Sequence, residues 1–335
     1  MNLVIQLPAL NEAASIGAVL ASLPQTLPGI ASIQVLVVDD GSTDGTADLA
    51  RAKGAHVIRH ERNQGVGTAF RSGLREAIGL GADLLVTIDA DGQFNGADIA
   101  TLIQPLMSGE ADFVSGSRFK DPSLIPTMPS AKRWGNRVIA TWLGRMTGQT
   151  FYDVSCGFRA YARHAFLRLD PQGSFTYTHE VFLALAFAGL RIREVPVVVR
   201  GVREYGHSRV AHSLSRYAWR AAAIILATYR DYRPAQFFGL IGATLGTLGL
   251  TLLGFVFIHW FNTGALFPYR ALGFVGAALG FAGLMIYLIG LVAAMLVRLR
   301  SGVETALLRA GEVQRLLQRQ SNVKNKPAAE GRCDE

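Results

Sequence analysis

Short apolar runs alternate with amphipathic segments over the first 200 residues, and this alternation predicts strands separated by helices. Helical patterns cover residues 12–22, 65–78 and 98–107. Parallel strands need crossover connections, so this order predicts an α/β domain with a mostly parallel sheet. The runs predicted as strands are LVIQLPA, IQVLVVDDG, HVIRH, DLLVTIDAD, DFVSGSR and IREVPVVVR.

Two long runs without formal charge follow, at residues 235–260 and 271–297. A helix needs about 20 residues to cross a hydrocarbon core, and both runs exceed that length. A buried core helix is the alternative, but two such runs in tandem favour a transmembrane hairpin over residues 234–298. GxxxG spacings in both runs indicate close helix packing, either within the hairpin or between subunits of a homo-oligomer. These glycines are Gly242, Gly246, Gly276 and Gly280.

Basic residues flank the predicted hairpin. The connecting loop contains one arginine, Arg270, whereas several arginines precede and follow the hairpin. The positive-inside rule then places both flanks in the cytoplasm. The first apolar run of the chain is broken by Pro8, Asn11 and Glu12, which makes it too short for a signal peptide. We therefore expect a multi-pass protein of the cell (inner) membrane with its N-terminal domain on the cytoplasmic side.

The segments around the hairpin complete the predicted organisation. The α/β domain is expected over residues 1–208. In residues 209–233, basic side chains recur at helical spacing beside Trp219, a pattern typical of an interfacial amphipathic helix and also of an ordinary surface helix. Residues 299–335 predict an amphipathic helix through about residue 320 and then a disordered tail.

Composition narrows the class of protein. The 335 residues are 50% hydrophobic and 17% charged, with a mean hydropathy of +0.26. A net charge of +8 indicates an anionic partner, which could be nucleic acid, membrane lipid or a phosphorylated substrate. Cys156 and Cys333 lie far apart, so the sequence supports neither a disulfide framework nor a zinc site.

Acidic residues follow two of the predicted strands. In parallel sheets, ligands bind beyond the carboxyl ends of the strands, where Asp39, Asp40, Asp89 and Asp91 all fall. In the stretch TIDADGQF, side chains two apart point the same way on an extended chain, so Gln93 can join Asp89 and Asp91. Three converging oxygen ligands suit Mg²⁺ or Mn²⁺. A polar turn at the strand end is the alternative interpretation.

Two further motifs limit the alternatives. Asp44 is a good N-cap for the next helix and is read as structural. The Gly65-x-Gly67 pair lacks the third glycine and the downstream acid of a dinucleotide fingerprint, which excludes a Rossmann dehydrogenase. Asp39 and Asp40 suit the base and ribose hydroxyls of a nucleoside, or else are solvated turn acids.

Seven motifs follow one another along the first 210 residues. They are LPALNEAASI, VDDGSTDGT, NQGVGTAFRSG, DADGQF, SGSRF, DVSCGFRAY and REYGHSR. They occur in the order found in family 2 glycosyltransferases of the GT-A fold. With the two C-terminal spans, the chain resembles the polyprenyl-phosphate glycosyltransferases, the group that includes dolichyl-phosphate mannose synthases. The resemblance covers residues 1 to about 210 motif by motif and the rest by topology.

The resemblance implies an inverting, metal-dependent transfer of one sugar from a UDP- or GDP-sugar to undecaprenyl or dolichyl phosphate. It implies Mg²⁺ or Mn²⁺ held by Asp89, Asp91 and Gln93. The implied donor-binding residues are Pro8, Ala9, Asn11, Glu12, Asp39, Asp40, Gly67, Asp89, Ala90, Asp91, Gln93 and Arg203. The implied acceptor-phosphate residues are Arg118, Arg133 and Arg137, and the implied catalytic residues are Asp89, Asp91, Arg118, Arg133 and Arg203.

Other positions are assigned supporting roles or depart from the family pattern. Asp153 and Arg159 are expected to support the site, and Glu180 to orient an acceptor loop or an arginine. Arg209 stands where the family usually has lysine, which keeps the charge and alters the geometry. A polyprenyl phosphate is already an anion at neutral pH, so its attack needs cations and no dedicated general base. The alternative for the three acceptor arginines is a solvated basic surface or a lipid-headgroup contact.

Other functions fit the sequence less well. A processive polysaccharide synthase typically carries Gln-x-x-Arg-Trp, whereas Ser130 precedes Arg133 and Trp134 here, and two spans are few for a polymer channel. A sugar nucleotidyltransferase is disfavoured, because the first strand does not lead into a glycine-rich, lysine-bearing phosphate loop. A non-enzymatic membrane scaffold would be expected to have lost the metal-motif acids. Binding to membrane lipid and to phosphate groups accounts for the net positive charge, so binding to nucleic acid is not needed to explain it.

Overall fold

The computed structural model describes residues 1–169, 171, 177–200 and 214–324. The chain divides into two compact units, Met1–Thr228 and Tyr229–Glu335. The predicted domain boundary at residues 208 and 209 lies outside the described residues. Of the predicted disordered tail, residues 321–324 belong to a helix and the rest lies outside the described residues.

The first unit is built on a seven-stranded sheet. The strands are β1 Asn2–Ala9, β2 Ser32–Asp39, β3 His56–Arg59, β4 Leu84–Thr87, β5 Phe113–Ser117, β6 Arg159–Ala162 and β7 Ile192–Pro196. Their order in the sheet is β3-β2-β1-β4-β6-β5-β7. All neighbouring strands are parallel except β6, which runs antiparallel to β4 and β5. The mostly parallel sheet predicted from the sequence is therefore confirmed.

Burial accounts for the strands at the centre of the sheet. All four residues of β4 are buried, and the central residues of β1 are buried as well, as expected for strands covered on both faces. The β-branched and apolar runs predicted six of the seven strands. The sequence analysis missed β6, whose four residues RAYA form no apolar run.

Helices connect the strands. The helices of the first unit up to β7 are α1 Ala13–Ser22, α2 Thr46–Ala52, α3 Val66–Gly79, α4 Ile99–Met107, α5 Ser130–Thr147, α6 Arg163–Phe166 and α7 Thr178–Phe187. The three predicted helical patterns correspond to α1, α3 and α4. The helix α3 buries one face, which includes Phe70 and Leu74. The helix α8, Leu214–Tyr232, follows β7 and extends across the boundary between the two units.

The described part of α8 has two kinds of surface. Ala221, Ile225 and Thr228 are buried at helical spacing, whereas Trp219 is 79% exposed. The predicted basic stripe falls on side chains outside the described ones, and Arg209 and His212 lie in the undescribed range 201–213. The interfacial role of this segment stays a prediction.

The second unit contains α9 Pro234–Thr263 and α10 Arg270–Lys324. Both are long and apolar enough to cross a membrane, over Pro234–Thr263 and Arg270–Arg300. The helix α10 continues without a break into the segment predicted as an amphipathic helix. Glycines bring α9 and α10 into backbone contact, because a Cβ on Gly249 would lie 2.5 Å from the Gly280 nitrogen. The glycines therefore allow close packing within the hairpin, and packing between subunits stays a prediction.

Candidate functional site

The parallel strands β2, β1 and β4 end at one edge of the sheet, and the predicted donor residues follow those ends. Asp39 is the last residue of β2, Ala9 ends β1, and Asp89 lies two residues beyond β4. Because β1 lies between β2 and β4, this topology brings the acids after both outer strands to the same edge.

Asp39 is a fully buried carboxylate with one oxygen unsatisfied. Its Oδ1 accepts a hydrogen bond from the Ser42 nitrogen at 3.0 Å. Its Oδ2 lies 3.3 Å from Arg59 Nε in an ion pair and accepts no hydrogen bond. The ion pair with Arg59 offsets part of the cost of burying this charge, and Oδ2 keeps the capacity to accept a hydrogen bond from a ligand.

The neighbouring Asp40 differs from Asp39 because groups of the protein itself form hydrogen bonds with both of its carboxylate oxygens. The nitrogens of Gln64 and Gly65 donate to it at 2.9 and 2.8 Å. His60 Nδ1 lies 2.7 Å from Asp40 Oδ1, and the same ring contacts Ser72 of α3 through Nε2. These contacts fix the loop that leads into α3, where Gly67 is buried in the first turn.

The loop from β1 to α1 is hydrogen-bonded to the loop after β2. Asn11 has a positive φ of 50°, and its side-chain Oδ1 accepts from the Thr43 nitrogen at 2.8 Å. The Glu12 nitrogen donates to Thr46 Oγ1 at 2.9 Å. Pro8, which is half-buried, precedes the buried Ala9 at the end of β1. These residues therefore border the same sheet edge as Asp39.

Asp44, predicted as the N-cap of α2, lies one residue before the N-cap position, and its side chain still accepts a hydrogen bond from the first turn of the helix. Gly45 occupies the N-cap position of α2, and Asp44 Oδ1 accepts from the Thr46 nitrogen at 3.1 Å. Burial alone would raise the pKa of Asp44, but hydrogen bonds from Thr46 and the Ala13 nitrogen outweigh it and lower the pKa. The structural role predicted for Asp44 agrees with these contacts.

The DADGQ loop is held by contacts to Ser15 of α1 and to Arg200, and by a hydrogen bond within the loop. Ser15 Oγ donates to the Ala90 carbonyl at 2.8 Å. Asp91 is 3% exposed, and its Oδ1 accepts from the Gln93 nitrogen at 3.0 Å. Gln93 Nε2 donates to the carbonyl of Arg200 at 2.9 Å, and the Arg200 nitrogen donates to the Gln93 carbonyl at 3.0 Å.

Asp89 needs a glycine beside it, which the sequence analysis missed. A Cβ on Gly157 would lie 2.7 Å from Asp89 Oδ2 and 2.9 Å from Oδ1. Thr87 Oγ1 donates to the Gly157 carbonyl at 3.0 Å and holds this close approach. The sequence contained an indication of this close approach, because a glycine, Gly157, stands between the apolar residues Cys156 and Phe158 within DVSCGFR.

The two aspartates fit a hard divalent cation in the chemistry of their oxygen atoms and in their shared short loop. Among the residues that the structure describes, no group of three or more His, Cys, Asp and Glu side chains could hold a metal ion. A cation here would therefore need oxygen ligands from Gln93 or from a bound substrate. The role of Gln93 as a ligand stays a prediction.

The predicted acceptor residue Arg118 follows β5 and forms a bidentate ion pair with buried Asp153. Arg118 Nε and Nη2 donate to the two Asp153 oxygens at 2.7 and 2.9 Å. Burial would raise the pKa of Asp153, but the charge and hydrogen bonds of Arg118 outweigh it and lower the pKa. The Tyr152 and Asp153 nitrogens donate to Glu194, whose pKa is raised by burial. Asp153 therefore orients Arg118.

The helix α5 carries the other two predicted acceptor arginines, Arg133 and Arg137, both exposed. Trp134 between them is 69% exposed. An open groove of about 470 Å³ runs along this helix. Its lining residues are Trp134, Arg137, Val138, Thr141, Trp142 and Arg145. This surface combines apolar rings with positive charge, which suits an amphiphilic anion.

Arg159 is fully buried and contacts the backbone, in agreement with the supporting role predicted for it. Its guanidinium donates to the carbonyls of Cys156, Val154 and Thr178 at 2.7, 3.0 and 3.0 Å. It thereby ties the DVSCGFR loop to the start of α7, where Glu180 is half-buried. The predicted catalytic and donor residue Arg203 lies outside the described residues.

Comparison with known proteins agrees with this architecture. Residues 4–169 match the model of the family described as Glycosyl transferase family 2. A UDP-N-acetylglucosamine–dolichyl-phosphate N-acetylglucosaminyltransferase of Methanococcus voltae is 33% identical, covering 49% of this chain and 73% of the relative. An undecaprenyl-phosphate mannosyltransferase of Micrococcus luteus is 31% identical, covering 63% of this chain and 88% of the relative.

A solved structure has the same fold. Glucosyl-3-phosphoglycerate synthase from Mycobacterium tuberculosis, crystallised with Mn²⁺, UDP and glucosyl-3-phosphoglycerate, superposes with a TM-score of 0.55. The two chains are 23% identical, and the match covers 68% of this chain and 79% of that one. The GT-A fold predicted from the motifs is thus confirmed, and this chain is a glycosyltransferase that belongs to glycosyl transferase family 2.

Proposed function

We propose that this chain transfers a single sugar from a nucleotide-sugar to a membrane polyprenyl phosphate. The observation that carries the proposal is the position of Asp39, with its buried unsatisfied Oδ2, at the same sheet edge as Asp89 and Asp91. The names of the two relatives support it, since one acts on dolichyl phosphate and the other on undecaprenyl phosphate.

The donor would lie along the ends of β1, β2 and β4. Asp39 Oδ2 would accept a hydrogen bond from an N–H of the base or from a ribose hydroxyl, which would satisfy its buried oxygen. Asn11, Glu12, Asp40 and Gly67 would shape the pocket through the loops that they hold. A uridine or a guanosine nucleotide could meet this requirement.

Asp89 and Asp91 would hold a divalent cation, Mg²⁺ or Mn²⁺, with Gln93 as a further oxygen ligand. Such a cation neutralises charge on a diphosphate and stabilises it as a leaving group. The protein contributes rigidity: Gly157 leaves room for the Asp89 carboxylate, and Ser15 fixes the Ala90 carbonyl between the two acids.

The acceptor phosphate would be bound by Arg118, Arg133 and Arg137. One phosphate oxygen attacks the anomeric carbon as the bond from that carbon to the donor phosphate breaks, which releases the nucleoside diphosphate and inverts the configuration. The phosphate is already ionised, so the arginines offset its repulsion from the donor and no side chain needs to take a proton. The exposed rings of the α5 groove suit the first isoprene units.

A lipid acceptor also accounts for the second unit. Two apolar helices would anchor the enzyme in the membrane that contains its acceptor. The arginines before and after the pair favour a cytoplasmic catalytic unit in an inner membrane.

The test is transfer of radiolabel from a panel of UDP- and GDP-sugars to undecaprenyl phosphate in detergent with Mn²⁺ or Mg²⁺. Label from one donor should enter the lipid phase with the wild-type protein and be lost with Asp91→Ala. Binding of a nucleotide-sugar without any labelled lipid would overturn the acceptor assignment.

A further inference from the structure

Asn136 on α5 contacts the loop that holds Arg118, and neither the motifs nor the predicted site included it. Its Nδ2 donates to the Tyr152 carbonyl at 2.8 Å. Its Oδ1 accepts from Ser155 Oγ at 3.0 Å. The first bond fixes the amide orientation, because the reversed amide would place its oxygen against a carbonyl oxygen.

Ser155 continues the connection to Arg118. Arg118 Nη2 donates to Ser155 Oγ at 2.7 Å, in addition to its bond with Asp153. The serine hydroxyl therefore accepts from Arg118 and has its single proton available for Asn136. Asp153 Oδ1, also 3.2 Å from this hydroxyl, already accepts from Arg118. The hydrogen bonds run from Asp153 through Arg118 and Ser155 to Asn136.

Asn136 lies on the same part of α5 as Arg133 and Arg137, so its hydrogen bonds affect the position of these arginines. At about 100° per residue, Asn136 lies roughly 60° around the helix from Arg133 and 100° from Arg137. No residue between positions 130 and 139 is buried, and the first buried residue of α5 is Ala140. The arginine-bearing half of α5 therefore has little core packing to fix its position, and the two Asn136 hydrogen bonds supply a fixed point.

We propose that Asn136 is a positioning residue of the acceptor site, which holds Arg133 and Arg137 at a set distance from Arg118. The proposal rests on the proposed function, in which these arginines bind one phosphate. A phosphate between arginines from two elements is bound tightly only if their spacing is fixed, since each contact depends on donor geometry. Asn136 would act on acceptor binding through the arginines, without touching the substrate.

The experiment measures four variants: Asn136→Ala, Ser155→Ala, the double variant, and Thr150→Ala as an exposed control just beyond α5. Calorimetric titration gives the Kd of farnesyl phosphate and of the donor nucleotide, and steady-state transfer gives KM for each substrate. We expect Asn136→Ala to raise the Kd and KM of the prenyl phosphate about tenfold, which corresponds to ~1.4 kcal/mol. Donor values and the thermal midpoint should stay at the wild-type level.

Two further comparisons separate positioning from a general structural role. The double variant should have a prenyl-phosphate Kd no higher than that of the single variant with the higher Kd. Both substitutions interrupt the same chain of hydrogen bonds, so their effects should not add. Asn136→Gln, which keeps the amide, should recover part of the affinity. A parallel rise in donor KM, fully additive single effects or an equal loss in Thr150→Ala would overturn the proposal.

The two proposals fail in different ways. Wild-type protein that binds farnesyl phosphate but transfers no sugar to any prenyl phosphate would contradict the proposed function. Wild-type transfer with an unchanged prenyl-phosphate KM in Asn136→Ala would overturn the positioning role alone.

Discussion

The carboxylate of Asp89 lies against the backbone of Gly157, where a Cβ would come within 2.7 Å of Asp89 Oδ2. The contact joins the strand-end loop of β4 to the loop before β6. It explains why a residue without a side chain stands at position 157, and it makes the geometry of the predicted metal loop depend on a residue far along the chain.

Gly157→Ala should displace the Asp89 carboxylate and weaken Mn²⁺ binding about tenfold, with a matching loss of transfer. Electron paramagnetic resonance of free Mn²⁺ in the presence of donor nucleotide measures the affinity directly. Gly79→Ala is the control, because a Cβ there meets nothing within 4 Å. Unchanged Mn²⁺ affinity in Gly157→Ala would contradict the assignment of Asp89 as a ligand.

Asp39 and Asp40 should differ in what their loss affects. Asp39→Asn should weaken nucleotide binding about tenfold, because its unsatisfied oxygen is the predicted ligand contact. Asp40→Asn should lower the free energy of unfolding by about 1–3 kcal/mol, because its amide would oppose the backbone donors of Gln64 and Gly65.

Titration with the donor nucleotide and denaturant unfolding measure the two effects. Asp48→Asn is the matched control, since that aspartate is 74% exposed and pairs with Arg51 on the surface of α2. Normal nucleotide affinity in Asp39→Asn would remove the support for a donor pocket at this edge.

The different roles of the adjacent residues Asp39 and Asp40 could not be predicted from the sequence. Both acids fit a strand-end pattern. Only the structure shows that backbone nitrogens of a distant loop donate to Asp40, whereas Asp39 Oδ2 accepts no hydrogen bond. By contrast, the apolar runs predicted six strands, and in β1, β4 and β5 the run is itself the buried segment. The strand β6 was missed because its buried Arg159 is stabilised by three carbonyls and not by an apolar pattern.

The pKa of Asp112 predicts an acid-sensitive contribution to stability in the first unit. Hydrogen bonds from Arg191, at 2.7 and 3.1 Å, lower the pKa of Asp112 to about 2. A depressed carboxyl pKa stabilises the fold above the unfolded value of about 3.9, and this stabilisation is lost as the pH falls towards 2.

Asp112→Asn should therefore lower the free energy of unfolding by about 1–2 kcal/mol at pH 7 and by almost nothing near pH 2, after allowance for solvent screening of the exposed Arg191. Denaturant unfolding at several pH values measures the difference. Glu110→Gln serves as the control because its pair with Arg193 is half-exposed. A difference between wild type and Asp112→Asn that does not vary with pH would contradict this account.

The helix pair of the second unit should depend on its glycines. Gly249→Leu or Gly283→Leu should lower the thermal midpoint in detergent by several degrees, because a Cβ on Gly283 would lie 2.6 Å from the Gly242 carbonyl. Gly254→Leu should have little effect, since a Cβ there meets nothing within 4 Å. Equal midpoints for all three variants would show that the helices do not pack through these glycines.

The mass of the lipid product tests the central claim most directly. Purified protein is incubated with undecaprenyl phosphate and an excess of the active nucleotide-sugar for many turnovers, and the lipid fraction is analysed by mass spectrometry. We predict one product, heavier than the acceptor by a single sugar residue, and none with Asp91→Ala. A ladder of products with increasing numbers of sugars, or sugar polymer with unchanged lipid, would contradict single transfer to a polyprenyl phosphate.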